Sequence, residues 1–419
     1  MKRLSQHIVV LGAGYAGMMA ALRLAKRTDP KQAAITLVNA ADTFNERVRN
    51  HQLAAGQRLR EHPLSSLLQG TRIQFLRGTV TALHPAQRQI TIQTETGSRQ
   101  IGYDNLVYAL GSYITTEEVP GARQYAYTLD AGSAQALAQR LPEVAARPGR
   151  LLIVGGGNTG VEVGAELAET YPGLRITMVT RHSFARNLSS AAQARIRKAF
   201  ERLKITFVEN TTVTQLKADG AIIEDGTTIS FDICVWVGGF DVSDLAQRAG
   251  LRVNARGQIL IDRAMRSLSH PEIYAVGDSA FPAEEPGAPI RMSLYTAIMM
   301  GAHGADCLAA QLNDKPPTAF GLSYFALGLS LGRKDGVFQF LNWNTDTPLS
   351  LILTGKLANL TREFFVTFAL WVIKVQRTIP WVFEWPGKNK MRKIPVASNL
   401  QNPTLRSPAL SGPAAPIER

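Results

Sequence analysis

The stretch LLIVGGGNTGVEVGAELAE, residues 151–169, sets an apolar run against closely spaced glycines and then a helical spacing of small and apolar side chains. Leu151 to Val154 reads as a buried strand, Gly155, Gly156, Gly157 and Gly160 as a turn, and the residues to about Thr170 as a helix, with a further strand at Arg175 to Val179. The same order occurs earlier, in IVVLGAGYAGMMAALRLAK at residues 8–26. There the strand is His7 to Leu11, the glycines are Gly12, Gly14 and Gly17, the helix runs to Ala25, and the next strand is Ile35 to Val38. In such a βαβ unit the first glycine permits a tight turn and the second lets the backbone approach a pyrophosphate. The third allows close helix packing, and the helix N-terminus offers unpaired N–H groups to the anion. A glycine turn without a ligand is the plain alternative, but the flanking strands and helix favour nucleotide binding in both copies.

Two dinucleotide sites in one chain imply electrons passing from one bound cofactor to another, and a nicotinamide giving hydride to a flavin is the common pairing. Neither copy ends its second strand with the acidic residue that usually holds a ribose. The first has Asn39, whose amide still hydrogen-bonds hydroxyls, and the second has Thr180, Arg181 and His182. An arginine there accommodates the 2′-phosphate of NADPH, where a carboxylate would favour NADH. Arg181 as a solvated loop residue is the competing reading.

At 419 residues the chain is long enough for two or three domains. Its formal charge of +13 points to an anionic partner such as a nucleotide, a lipid headgroup or nucleic acid. From Leu351 onward, ten Lys or Arg face three Glu, so more than half of the excess lies in the last sixth of the chain. No nucleic-acid-binding motif accompanies that charge, and a nucleic-acid partner is not expected. Cys234 and Cys307 are far apart and in no CxxC pairing, which gives no support to a disulfide framework, a thiolate metal site or a dithiol redox centre. Lys2 and Arg3 ahead of an apolar run imitate a secretory signal, but Gly12, Gly14 and Gly17 interrupt it. No apolar segment reaches the roughly 20 residues of a spanning helix. The expected location is cytoplasmic, free or peripheral on the cytoplasmic face of a membrane.

YDNLVYALGS (103–112) and FDICVWVGGF (231–240) read as apolar strands ending in small residues, and HPEIYAVGDSA (270–280) as a strand before Gly277 and Asp278, with a helix from about Met292. In this order the motifs resemble the two-dinucleotide-binding flavoproteins of the pyridine nucleotide-disulfide oxidoreductase fold. The resemblance spans residues 7 to 335 and is nearest to type II NADH:quinone dehydrogenase-like, FAD-dependent oxidoreductases. It implies an α/β fold with two Rossmann-like domains. The FAD domain would be discontinuous (1–118 and 250–320) around a nicotinamide domain (119–249), with a C-terminal helical and β region (321–397) and a disordered tail (398–419). The implied cofactors are FAD and either NADPH or NADH, with no metal.

By the same resemblance, Gly12, Gly14, Gly17, Ala109, Gly111, Gly277 and Asp278 would hold FAD, and Gly155, Gly157 and Gly160 the nicotinamide dinucleotide. Ala16, Asn39, Arg47, Val80, Asn158, Thr159, Arg181, Gly238, Thr296 and Ala297 are further expected cofactor contacts. Glu162 matches the glutamate that type II enzymes place beside the nicotinamide, and Tyr295 is the second residue expected to act in the reaction. The chain departs from the family in two places. DTFNERVRNHQLAAGQ (42–57) has no redox cysteine, and RMSLYTAIMMGAHGAD (291–306) puts Tyr295, Met299 and Met300 where type II enzymes carry glutamines. The acceptor is therefore read as a quinone or a similar small molecule. A flavoenzyme of specialised metabolism and a redox-sensing flavoprotein like apoptosis-inducing factor are the alternatives.

Phe364 to Ile373 is an almost wholly apolar decamer flanked by Arg362, Lys374 and Arg377, with Trp371, Trp381 and Trp385 nearby. Residues 360–393 thus suit either a helix lying in a headgroup layer or a homodimer contact.

Overall fold

The computed structural model describes residues 5–283, 290–385 and Lys388. The expected disordered tail at 398–419 and the basic residues 389–393 lie outside the described residues.

The first fingerprint folds as strand β1 (Gln6–Leu11), helix α1 (Tyr15–Arg27) and strand β2 (Ala33–Asn39), and is extended by β3 (Ile73–Arg77) and β4 (Asn105–Tyr108). After β5 (Ala126–Tyr127), the second gives β6 (Arg150–Val154), helix α2 (Asn158–Thr170), β7 (Arg175–Thr180), β8 (Thr206–Glu209) and β9 (Ile233–Trp236). The chain then adds β10 (Ile273–Ala275) and helix α3 (Leu294–Leu312). Strands β11 (Ala326–Ser330), β12 (Gly336–Leu341) and β13 (Pro348–Thr354) form an antiparallel sheet that leads into helix α4 (Gly355–Val375).

The two large sheets are parallel and have the same plan. One is ordered β10-β4-β1-β2-β3 and the other β5-β9-β6-β7-β8. Val9 pairs with Thr36 in the first, and Leu152 with Thr177 in the second. The central strands are buried on both faces, which explains their unbroken apolar composition. β10 joins the first sheet from beyond the second, so the first nucleotide layer is assembled from both ends of the chain.

The sequence reading overextended two strands. The segments 103–112 and 231–240 are not continuous strands: the parallel strands end at Tyr108 and Trp236, Gly111 (φ 70°) and Gly239 (φ 84°) turn the backbone, and Phe240 begins a separate short strand. Helix α3 begins at Leu294, two residues after Met292, because the Ser293 side chain accepts a hydrogen bond from Thr296 N and caps it.

A buried arginine fastens the C-terminal segment to this frame. Arg23 on α1 is fully buried and grips the Asp306 carboxylate of α3 through two hydrogen bonds of 2.7 and 2.8 Å. Its third nitrogen donates to Gln376 and to the Pro380 carbonyl, just past α4. Replacing Arg23 by Met removes one partner of a buried pair, and a loss of about 3 kcal/mol is expected. Thermal and urea unfolding should register it as earlier release of the C-terminal segment; unfolding midpoints equal to wild type would refute the assignment.

Candidate functional site

Gly12 (φ 94°) and Gly155 (φ 123°) occupy the left-handed backbone region that the two sharp turns require. A Cβ on Gly17 would lie 1.8 Å from the Gly12 carbonyl oxygen, and one on Gly160 would lie 1.9 Å from that of Gly155. Each helix therefore packs against its own turn at a distance only glycine permits. Gly14 and Gly157 differ from these: apart from the adjoining residues, nothing stands within 4 Å of a Cβ built on either one. They are the N-caps of α1 and α2, and neither helix has a side-chain cap, so its first N–H groups face open space.

Both turns open onto one cavity of about 1390 Å³. That exceeds the roughly 300–1,000 Å³ of a site for one small ligand. Gly12 through Ala16 line one side and Gly156 through Thr159 the other, with Glu162 one helical turn deeper. Asn39, Arg47, Val80, Ala109, Gly111, Gly277, Asp278, Tyr295 and Ala297 also line it. Gly17, Gly155, Gly160, Arg181, Gly238 and Thr296 are not on the wall. Gly17, Gly155 and Gly160 shape the turns from behind. Thr296 is buried, with its hydroxyl against those of Ser293 and Tyr324. The Asn39 amide is used internally: Oδ1 accepts from Ala13 N at 2.9 Å, and Nδ2 donates to the Ala41 carbonyl. Its role is to pin the glycine turn.

Buried polar atoms on the wall lack protein partners, among them Tyr15 Oη, His51 Nε2, Asn158 Oδ1 and Arg291 Nη1. These four atoms are themselves closed to solvent although their residues line the cavity. Near Gly277, Arg47 donates to the Ser112 carbonyl at 2.6 Å, and the Ser112 hydroxyl donates to Asp278 at 2.6 Å. Burial raises the Asp278 carboxyl, and Ser112 and Arg47 oppose the rise.

Glu162 is held from outside its own helix. Its Oε1 accepts from Arg362 Nε at 3.0 Å, from Arg362 Nη2 at 2.8 Å and from Ser330 N at 3.1 Å. Burial pushes its carboxyl up while Arg362 and the Ser330 N–H pull it down. Arg362 also donates to Glu363 at 2.7 Å and to the Val48 carbonyl, and Arg49 donates to Glu363 at 2.5 Å. In the sequence Arg362 is a basic flank of the apolar decamer. The structure turns it inward, nearly fully buried, as the partner of the predicted Glu162. A lone arginine among apolar helical residues was the available signal, but its direction depends on packing.

The far wall is apolar, built from Tyr295, Met299, Phe325, Leu327, Phe338, Phe365, Val372 and Trp385. The Tyr295 hydroxyl donates to the Ser323 carbonyl, and Met300 is core, away from the wall. Cys234 and Cys307 are buried, and neither lines the cavity.

A family pattern described as pyridine nucleotide-disulphide oxidoreductase matches residues 6–301. The chain belongs to that family. Within it, the chain is 25% identical over 352 residues to NADH dehydrogenase-like protein Rv1812c of Mycobacterium tuberculosis, covering 79% of this chain and 87% of that one. It is 26% identical over 362 residues to the type II NADH:quinone oxidoreductase of Staphylococcus haemolyticus, covering 79% and 88%. The solved structure of NDH2 from Plasmodium falciparum in complex with NADH superposes with a TM-score of 0.76 at 15% identity, covering 90% of this chain and 98% of that one.

Within this family member, Arg362→Leu leaves Glu162 and Glu363 without their shared guanidinium and should cost about 3 kcal/mol. Adding Glu162→Gln should recover part of that loss, since one fewer charge is then left buried. A thermal-denaturation double-mutant cycle measures the coupling, and strictly additive effects would contradict it.

Proposed function

We propose that the chain is an FAD-dependent oxidoreductase that takes hydride from NAD(P)H and passes the electrons to a quinone. The observation that carries this reading is one cavity lined by two uncapped glycine-turn helices and by a group of aromatic side chains. FAD fits the first cradle: the Gly14 turn and the α1 N-terminus would take its pyrophosphate, and Arg47, Ser112 and Asp278 its polar chain. NAD(P)H fits the second, at Gly157 and the α2 N-terminus, with Glu162 toward the nicotinamide end. Bound FAD would supply the two-electron relay between donor and acceptor.

The residues of the chain do the rest. The two helix N-termini neutralise phosphate charge with fixed dipoles. Arg362 and Ser330 N–H fix the direction of the Glu162 carboxylate. Phe325, Phe338 and Phe365 exclude water from the acceptor side and offer faces to a planar ring. The extension of the FAD domain across 1–118 and 250–320, around 119–249, is supported by the pairing of β10 with β4.

For the choice of nicotinamide, Arg186 and His182 support NADPH more directly than Arg181. Both line the cavity beyond β7, where no carboxylate does. Desolvation first, and then Arg186 and Arg181, hold the His182 imidazole below its usual range, so the locale is cationic before any ligand arrives. Purified protein should be yellow and should bleach anaerobically with NADPH, then recolour on adding a soluble quinone. Arg186→Ala should cut the NADPH-over-NADH preference in kcat/KM about tenfold, the worth of one charge-assisted hydrogen bond. A colourless, flavin-free preparation would sink the whole reading.

Peripheral attachment to an anionic membrane fits α4 better than a dimer contact does. Leu357, Leu360, Phe364, Phe368 and Trp371 recur at helical spacing along its outer side, and all are exposed. Phe364 stacks on Phe368 with ring centroids 5.8 Å apart, and Phe368 on Trp371 at 5.4 Å. Phe368 also lines the cavity, so the exposed stripe is continuous with the acceptor wall. Lys356 and Lys374 stand near the two ends of the helix. Among the described residues no helix is long and apolar enough to cross a membrane. Leu360→Glu with Phe364→Glu should abolish co-sedimentation with anionic vesicles. Unchanged sedimentation, or a wild type that dimerises through this face in solution, would overturn the membrane assignment.

A further inference from the structure

Quinone reduction by NAD(P)H consumes a proton that the nicotinamide does not supply: NAD(P)H + H⁺ + quinone gives NAD(P)⁺ + quinol. The hydride brings two electrons and one proton equivalent, and the second proton must come from solvent. Phe325, Phe338 and Phe365, which line the cavity, carry no proton donor of their own.

Helix α2 carries Glu162, Glu166 and Glu169, spaced i, i+4 and i+7, so all three fall on one side of the helix. Glu162 lines the cavity, Glu166 does not and is fully buried, and Glu169 is half-buried toward the surface. Cβ atoms on successive turns stand about 5–6 Å apart, a gap that two carboxyl groups or one water bridges. The end members have firm partners: Arg362 and Ser330 N at Glu162, and Arg333 N at Glu169. Glu166 has one side-chain donor, Gln57, on Oε1. Its Oε2 is buried with no hydrogen-bond partner. Arg362 and the Arg49–Glu363 pair satisfy the neighbouring charges of the network without reaching this oxygen.

We propose that Glu166 relays the solvent proton along α2, from Glu169 to Glu162 and so into the cavity that donor and acceptor share. The inference rests on the quinone-reductase reading. It assigns a step to a residue that touches neither cofactor nor substrate and acts only through Glu162. Each hop breaks one carboxyl O–H bond and forms another on the next oxygen, and no electron moves.

The electrostatics agree with this geometry. Burial raises the Glu166 carboxyl to about 7, against the opposing pull of Arg333 and Gln57 and with reinforcement from Glu169 and Glu162. A group near neutrality both holds and yields its proton at working pH. Because the folded-state value lies above the ordinary 4.5, wild type should lose stability as pH rises from about 4.5 through about 7.

The test compares wild type with Glu166→Gln and Glu169→Gln holoenzymes, using two acceptors. Ferricyanide takes electrons one at a time and needs no proton, whereas a soluble quinone needs one. Glu166→Gln should slow quinone turnover at least tenfold and leave ferricyanide turnover within twofold. Glu169→Gln, at the outer rung, should slow quinone turnover less. Two readouts do not depend on turnover. A protonated-carboxyl infrared band titrating near pH 7 should vanish in Glu166→Gln, and the fall in melting temperature between about pH 4.5 and 7 should flatten. Equal loss with both acceptors would mark Glu166 as merely structural and overturn the proposal, as would unchanged quinone turnover. A wild type that reduces ferricyanide but no quinone would instead overturn the parent reading. Absence of the infrared band would still refute a proton on Glu166.

Discussion

The ion pair between Glu162 and Arg362 is the contact on which the working arrangement of the molecule depends. One partner stands on the helix that begins at the second glycine turn, and the other on the last long helix, 200 residues later. A pair this deeply buried is a weak source of net stability, because removing two charges from water offsets most of their attraction. What it supplies is register. A shift of one residue along α4 would move Arg362 by about 1.5 Å and swing it by about 100°. It would then miss Glu162 and the Val48 carbonyl together. With Arg362 fixed, Phe365 and Val372 face the cavity while Leu360, Phe364 and Trp371 face out.

The parts of this arrangement that the sequence made legible are the local ones. Gly17 and Gly160 are dictated by clashes with the backbone five residues earlier, and Gly12 and Gly155 by their positive φ, so the glycine spacing is a local signal, although a Cβ on Gly12 or Gly155 would also meet Ala109 or Val237 of a neighbouring segment. The parallel strands were legible for the same reason: an unbroken run of β-branched and leucine residues before a glycine turn has few other uses. Which basic residue after β7 reaches the cavity was not legible, because the loop there doubles back. Ala185 adopts φ 47° and donates its N–H to the Gly156 carbonyl at 2.8 Å, which returns Arg186 to the cavity while Arg181 stays outside. No periodicity reports such a turn. Arg362 was hidden differently, since only the packing of α4 on β11 and β12 decides which way a lone arginine points.

The two nucleotide units share a plan but close their turns with different chemistry. In the first, the Asn39 amide ties the Ala13 N–H to the end of β2. In the second, Thr180 stands so close to Gly156 that a Cβ there would meet its hydroxyl at 2.5 Å. Neither residue brings a carboxylate to the ribose, although the usual position for one is occupied in each. The loss has a different consequence on each side. Asn39 uses one N–H and one lone pair of its amide on the backbone. Thr180 is small and neutral, which leaves the field beyond β7 to Arg186 and His182.

Helix α4 meets two environments that are usually kept on separate elements. Its inner side is a wall of the cavity and the anchor of Glu162; its outer side is an aromatic stripe that is exposed among the described residues. Arg23, which fixes the far end through Gln376 and Pro380, and Arg362, which fixes the middle, leave the helix little freedom to rotate. The stripe and the partner of Glu162 are therefore carried by one helix, held at its middle and just past its end by two buried arginines.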